Sequence, residues 1–384
     1  MEKQYVLLNR QIPGGKWRLS SPDSIQKEDF DEIKTRLPEN PESNIKIGTG
    51  IVISYLNSHD ENLVTITDRF LKFAEETDTP VIIQLDGENW WSPYPELWNW
   101  WDTSRKGYNP DNRHNVEWYG WTPDKAIKIA WRNWGRQIRV LPPPNLMSPI
   151  YQELCRSKLN LIIPIIYEWW RALPLNKQDL FIGIKVGHES SIGVNAWYYP
   201  DGNALLDCPE SEDPNYGVKV DDTPSRGVVQ IGYSAVKTAG IRSDGDITEA
   251  DLAQVIQRHL EYQSRIVSEH GIPRDKIFTH CGGWKKGELL FNSAVNEYSC
   301  PGWSFYGDGA YDPKPYIGNI VSGTDAPYWA AVEWLYNKSS DETQWINAIN
   351  NTLGVSRCRF LCVYNWEGIK GSDGILKAIR KVVQ

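Results

Sequence analysis

The chain has 384 residues, of which 40% are hydrophobic and 23% charged, and a formal net charge of −8. Those proportions suit a globular protein and would be used up by one barrel of roughly 250 residues with long loops. The acidic balance excludes a nucleic-acid partner, which needs a basic field, and no apolar run is long enough for membrane insertion.

In chain order, apolar runs of strand length alternate with helical periodicity, the pattern of βαβ units around a parallel sheet. Residues 5–8 read as a short buried strand and 27–37 as the helix after it. The β-branched run 45–55 is the second strand, and the helix over 63–76 buries Phe70, Leu71 and Phe73. The third strand, 81–85, ends at Asp86-Gly87-Glu88. Continuous apolar strands of this kind belong to a sheet covered on both faces. An excursion over 88–147 follows, and within it 127–140 reads as a β-hairpin turning at Asn133-Trp134-Gly135.

Ser148 and Pro149 supply the N-cap and first position of a helix to about Leu173, with a kink expected at Pro164. Residues 181–186 form the fourth strand, ending in Gly187-His188-Glu189. From 190 to 226 the sequence is loop-like, and no fifth strand can be placed. Thr248 and Asp251 make a capping box for a helix over 249–270. Residues 276–280 then read as the sixth strand, and 329–332, ending in Glu333, as the seventh. A helix over 342–353 leads to the eighth strand, 358–364, and a last helix covers 375–383. The expected fold is α/β: a single (β/α)8 TIM barrel over residues 1–384, with a Trp-rich loop and hairpin region inserted at 88–147.

Composition has one outlier, 19 Trp and 19 Tyr against eight Phe and two Met. Trp and Tyr join a flat apolar face to a polar edge, which matches the C–H face and hydroxyl rim of a sugar ring. Seven Trp, at 90, 91, 98, 100, 101, 118 and 121, crowd the excursion. Some must form the loop's own small core, and others, Trp90 among them, are expected to face the barrel mouth. Asn195, with Trp197, Tyr198 and Tyr199, follows Glu189 closely and is expected over the same mouth.

A barrel of this type builds its site from the C-terminal ends of its strands. Those ends carry Asp86, Glu88, Glu189, His280, Glu333 and Trp366-Glu367. A mouth lined with carboxylates, without a Schiff-base Lys or a phosphate loop, points to general acid/base chemistry on an uncharged polar substrate. Cleaving a glycosidic bond needs two carboxyls, one to protonate the leaving oxygen and one to attack or to activate water.

Three short stretches carry a family resemblance: Gly187-His188-Glu189 on the fourth strand, Val332-Glu333-Trp334 on the seventh, and Tyr364-Asn365-Trp366-Glu367 after the eighth. The pattern resembles the clan A glycoside hydrolases, most nearly their β-galactosidase-like members. The resemblance implies a retaining mechanism, with Glu189 as acid/base, Glu333 as nucleophile, and Trp366 flooring the sugar site. It departs at His188, where the clan usually has Asn. His188, His280, Glu88, Asp86, Asn195, Trp90 and Glu367 are the further candidate substrate contacts.

The alternatives are an inverting hydrolase pairing Glu189 with Asp86 or Glu367, and an inactive carbohydrate-binding barrel. A Cys281/His280 nucleophile is discounted, because neighbours on one strand face opposite ways. Trp366 could instead be core beneath the final helix, and His280 a satisfied buried residue. No metal or organic cofactor is implied, and the expected partner is an oligosaccharide or glycoside substrate. Six cysteines show no C-x-x-C pair, though Cys281 and Cys300 could bridge. Met1-Glu2-Lys3-Gln4 opens without an apolar leader. Export with a leader removed is the expectation, and cytoplasmic residence the alternative.

Overall fold

The computed structural model describes residues 3–10, 22–38, 40–88, 90–133, 137–192, 196–202 and 204–384. Eight parallel strands close on themselves: β1 (Gln4–Asn9), β2 (Ile45–Ser54), β3 (Val81–Asp86), β4 (Phe181–Ser190), β5 (Ile277–Cys281), β6 (Gly302–Tyr306), β7 (Trp329–Leu335) and β8 (Cys358–Tyr364). Going round the ring the order is β1-β8-β7-β6-β5-β4-β3-β2, and β1 closes it by pairing with both β2 and β8. This is the expected (β/α)8 barrel.

The strand count differs from the sequence reading in one place. Residues 276–280, read there as the sixth strand, form the fifth, and the sixth is Gly302–Tyr306. The connection from β5 to β6 contains only the short 3-10 turn Leu289–Ala294, so no helical period announces a new repeat. Gly302 lets three strands meet closely, since a Cβ there would run into the Thr279 carbonyl oxygen and Val332.

Alternation along the strands divides two apolar layers. Tyr5, Leu7, Ile82, Ile182, Phe278, Ala330, Val332, Phe360 and Cys362 fill the lower barrel interior. Their neighbours Val6, Leu8, Ile83, Ile184, Leu361 and Val363 point outward into the helix layer. That layer includes Lys27–Arg36, Asp60–Glu76, Pro149–Ala172, Glu249–Glu269, Glu342–Leu353 and Asp373–Val383. Ser148 caps the third of these by accepting from the Tyr151 amide, and Pro164 lies inside it. Thr248 and Asp251 form the reciprocal capping box of the fourth.

The excursion after β3 carries the expected hairpin, Ala130–Asn133 against Gln137–Val140, and its turn, residues 134–136, falls outside the described residues. Ala196–Trp197 adds a third strand to it. All six cysteines are free, so Cys281 and Cys300 do not bridge. Among the described residues, no helix is long and apolar enough to cross a membrane.

Candidate active site

Strict alternation along β4 and β7 would not place both carboxyls in the barrel mouth. On β7, Val332 faces the interior, so Glu333 ought to face out. A register shift against β6 between Ala331 and Glu333 re-aims it inward, and Trp334 returns to the outer layer against Trp345. The buried Lys185 ammonium supports this irregularity from below, donating to the Val332 carbonyl oxygen at 2.8 Å.

The end of β4 is irregular in the same way, with a register shift against β5 between Val186 and Ser190. Gly187 and Glu189 both have positive φ, 96° and 49°. A glutamate held there is strained by about 1–3 kcal/mol, and the surroundings must fix it. Two buried side chains do so. Arg132, from the hairpin, donates to the carbonyl oxygens of His188 (3.0 Å) and Glu189 (3.4 Å). Glu88 accepts from the His188 amide at 3.2 Å and from the Ser190 hydroxyl. Glu189 is thus bracketed by contacts on both sides of its own peptide units.

Glu189 and Glu333 are 4% and 7% exposed and line one cleft of about 500 Å³. His188, Trp90, Trp284, Tyr306, Asn337 and Tyr364 line it with them. Burial, then the Glu189 charge, pushes the Glu333 carboxyl up from 4.5 to about 7. Opposing this, the Tyr306 hydroxyl donates to Glu333 Oε1, and Lys185 and His188 add positive potential. His280 lies beneath, with Nε2 2.8 Å from Ser304 Oγ and 3.9 Å from Glu333 Oε2. Burial lowers its pKa well below 6.5, so it is a neutral imidazole.

The other expected contacts divide. His188 lines the cleft, and its Nδ1 lies 2.9 Å from Oδ1 of the fully buried Asp86, which orients the ring. Asp86 therefore reaches the cleft only through His188. Trp90 lines the cleft, with its ring centroid 6.2 Å from that of His188. Glu88 faces away, into a buried network with Ser190 and with His259, whose Nε2 is 3.3 Å from Glu88 Oε1. Although burial opposes ionisation, His259 and Arg132 hold the Glu88 pKa below 4.5. Asn195 lies outside the described residues.

Trp366 and Glu367 do not line the cleft. Trp366 is fully buried in the outer apolar layer. Glu367 lies 3.2 Å from Arg10, itself almost buried. Both belong to the short helix Trp366–Ile369 after β8, and of the residues at this strand end it is Tyr364, the last of β8, that lines the cleft.

Tyr306 and Trp284 were not anticipated. Tyr306 ends the strand that the sequence pattern did not show, and Trp284 lies three residues past β5. Counting Gly302–Tyr306 as a strand would have put Tyr306 at the mouth.

No family model and no curated protein matches the chain. Solved structures similar to it include the catalytic domain of a Bacillus endo-β-1,4-mannanase of glycoside hydrolase family 26, at 11% identity over 99% of this chain and 85% of that one, TM-score 0.46. A broad-specificity family 5 endoglucanase from an uncultured bacterium aligns at 8% identity over 99% and 94%, TM-score 0.48. A family 5 glycoside hydrolase from Prevotella bryantii aligns at 8% over 100% and 99%, TM-score 0.47.

Proposed function

We propose that the protein is a retaining β-glycoside hydrolase in which Glu333 is the nucleophile and Glu189 the acid/base. The observation that carries this reading is the pair itself: two buried carboxyls from β4 and β7, in one cleft and electrostatically coupled, with a raised pKa at Glu333. Two carboxyls that share a site do not both ionise freely, which keeps one proton available near neutral pH.

In the first step Glu333 attacks the anomeric carbon and the proton must sit on Glu189, which delivers it to the leaving oxygen. The Tyr306 hydroxyl on Glu333 Oε1 and the nearby Lys185 charge favour the anionic Glu333 this requires. In the second step Glu189 takes a proton from water, which displaces the sugar from Glu333. His188 and Trp90 supply a polar and a flat apolar contact beside the scissile bond, and Tyr364 a second aromatic edge. Among the described lining residues no Lys or Arg faces the two carboxyls, which fits an uncharged β-linked sugar of the galactoside, glucoside or mannoside class.

The test is turnover of aryl β-glycosides by single variants. Glu333→Ala should lose nearly all activity while folding normally, and azide should restore part of it with inverted product. Glu189→Gln should lose far more on substrates with poor leaving groups than on activated ones, since only the former need a proton on departure. Full activity in Glu333→Ala, or equal losses on both substrate types in Glu189→Gln, contradicts the assignment.

A further inference from the structure

We infer that a second lobe of the cleft, beyond Tyr364 and opposite the acid, binds further sugar units on the non-reducing side of the scissile bond, so that the protein cleaves within chains rather than trimming single sugars; this rests on the hydrolase reading above. The lobe encloses about 440 Å³, close to the volume of the catalytic cleft itself. Leu335, Asn337 and Tyr364 line both, so the two are halves of one trough.

Direction follows from the ring order. In the closed barrel β8 is the fourth strand from β4 either way round, and so stands diametrically opposite it. Glu189 must touch the leaving oxygen, so the departing part of the substrate lies on the β4 side, between Trp90 after β3 and Trp284 after β5. The sugar attached to Glu333 then points its other end towards β7 and β8, where the second lobe opens.

The lining suits that occupant. Asn337 and Asn365 offer polar edges to hydroxyls, and Trp345, Ile369 and Ile375 form an apolar floor. Lys338, the cation at the rim, is held by Asp308 at 2.6 Å, which leaves the lobe little net charge for an uncharged sugar to oppose. Such a mixed, mostly apolar concavity with a few polar groups is the usual form of a small-ligand site.

The experiment compares kcat/KM for aryl β-mannosides, β-glucosides and β-galactosides with that for the corresponding β-linked aryl disaccharides, in which only the non-reducing side is extended. The disaccharide of the preferred sugar should be better by about tenfold or more, equivalent to ~1.4 kcal/mol. Ser340→Trp should plug the exposed rim of the lobe. It should bring the disaccharide-to-monosaccharide ratio towards one while leaving the monosaccharide rate unchanged. Equal rates on both lengths in the natural protein overturn the inference, as does a folded Ser340→Trp that keeps the full advantage. Should that variant fail to fold, the length series on the natural protein decides alone. Absence of turnover on every substrate would instead overturn the hydrolase reading, and the inference with it.

Discussion

Glu333 is a buried acid whose proton is held more tightly in the folded protein than in the unfolded chain, and stability should record this with a definite sign. Its pKa rises from 4.5 to about 7 through burial and the Glu189 charge. Below about pH 4.5 the group is protonated in both states and costs nothing. As pH rises from there through about 7 the unfolded chain releases its proton first, so folding stability falls across that window. At about 1.4 kcal/mol per pH unit, the gap between 4.5 and about 7 amounts to about 3 kcal/mol lost above neutrality. Glu333→Gln keeps the side-chain shape and removes the charge, so it should return most of that. With about 2.1 cal/mol/K of unfolding entropy per residue over 384 residues, the gain corresponds to ~4 °C in Tm. Thermal denaturation at about pH 8.5 should therefore show the variant melting ~4 °C above the natural protein, and at about pH 4.5 the two should nearly coincide. A variant less stable than the natural protein at the higher pH, or a difference that ignores pH, would refute the reasoning.

Glu88→Gln should behave with the opposite sign. Its lowered pKa stabilises the fold above the unfolded value of 4.5 and that contribution is lost as pH falls through the folded value, so the variant's deficit, about 3–5 kcal/mol for breaking a buried charge network, should be seen at pH 7 and shrink below about pH 4.5 in the same melting series. Among the molecules that do fold, kcat should fall with KM little changed, because the strand end that fixes Glu189 has lost a clamp. Trp366→Ala should cost about 3–5 kcal/mol of stability by leaving a cavity under the final helix, with kcat/KM per folded molecule nearly intact; a normal Tm with a large loss of activity would return Trp366 to the sugar site.

The two carboxyls were legible because strand ends were legible. β4 and β7 carry continuous apolar runs that stop at Glu189 and Glu333, and β8 was bounded at Tyr364 from the sequence alone. β5 was read too, one place late in the count, but β6 was not legible in this way. Gly302-Trp-Ser-Phe-Tyr306 has no β-branched residue, and no helix precedes it. The register shifts that turn Glu333 and the end of β4 into the mouth were also hidden. They depend on which neighbouring strand pairs where, and a side-chain period of two contains no such information. Arg132 was invisible as a positioning residue for a related reason: it arrives from the hairpin, 57 residues upstream of the glutamate whose backbone it holds.

The tryptophan excess has a different cause from the one its chemistry suggests. Of the seven Trp between residues 90 and 121, only Trp90 lines the cleft that holds Glu189 and Glu333. The other six each donate their indole N–H to a backbone carbonyl: Trp91 to Pro142, Trp98 to Trp91, Trp100 to Ile127, Trp101 to Ala204, Trp118 to Arg113 and Trp121 to Gly245. Under the helix layer Trp303, Trp329, Trp334 and Trp345 do the same. A long irregular loop packed on a barrel buries carbonyls that no ladder or helix satisfies, and each left unpaired would cost about 1–3 kcal/mol. Phe can fill the same volume but donates nothing. Trp fills it and satisfies a carbonyl at once, so the residue that recognises a sugar's face and rim also builds a core out of loops. Ten of the nineteen Trp act in this way, while the indole nitrogens of Trp169 and Trp170 are buried without such a partner, so only the position of each indole relative to the strand ends separates the few that meet the cleft.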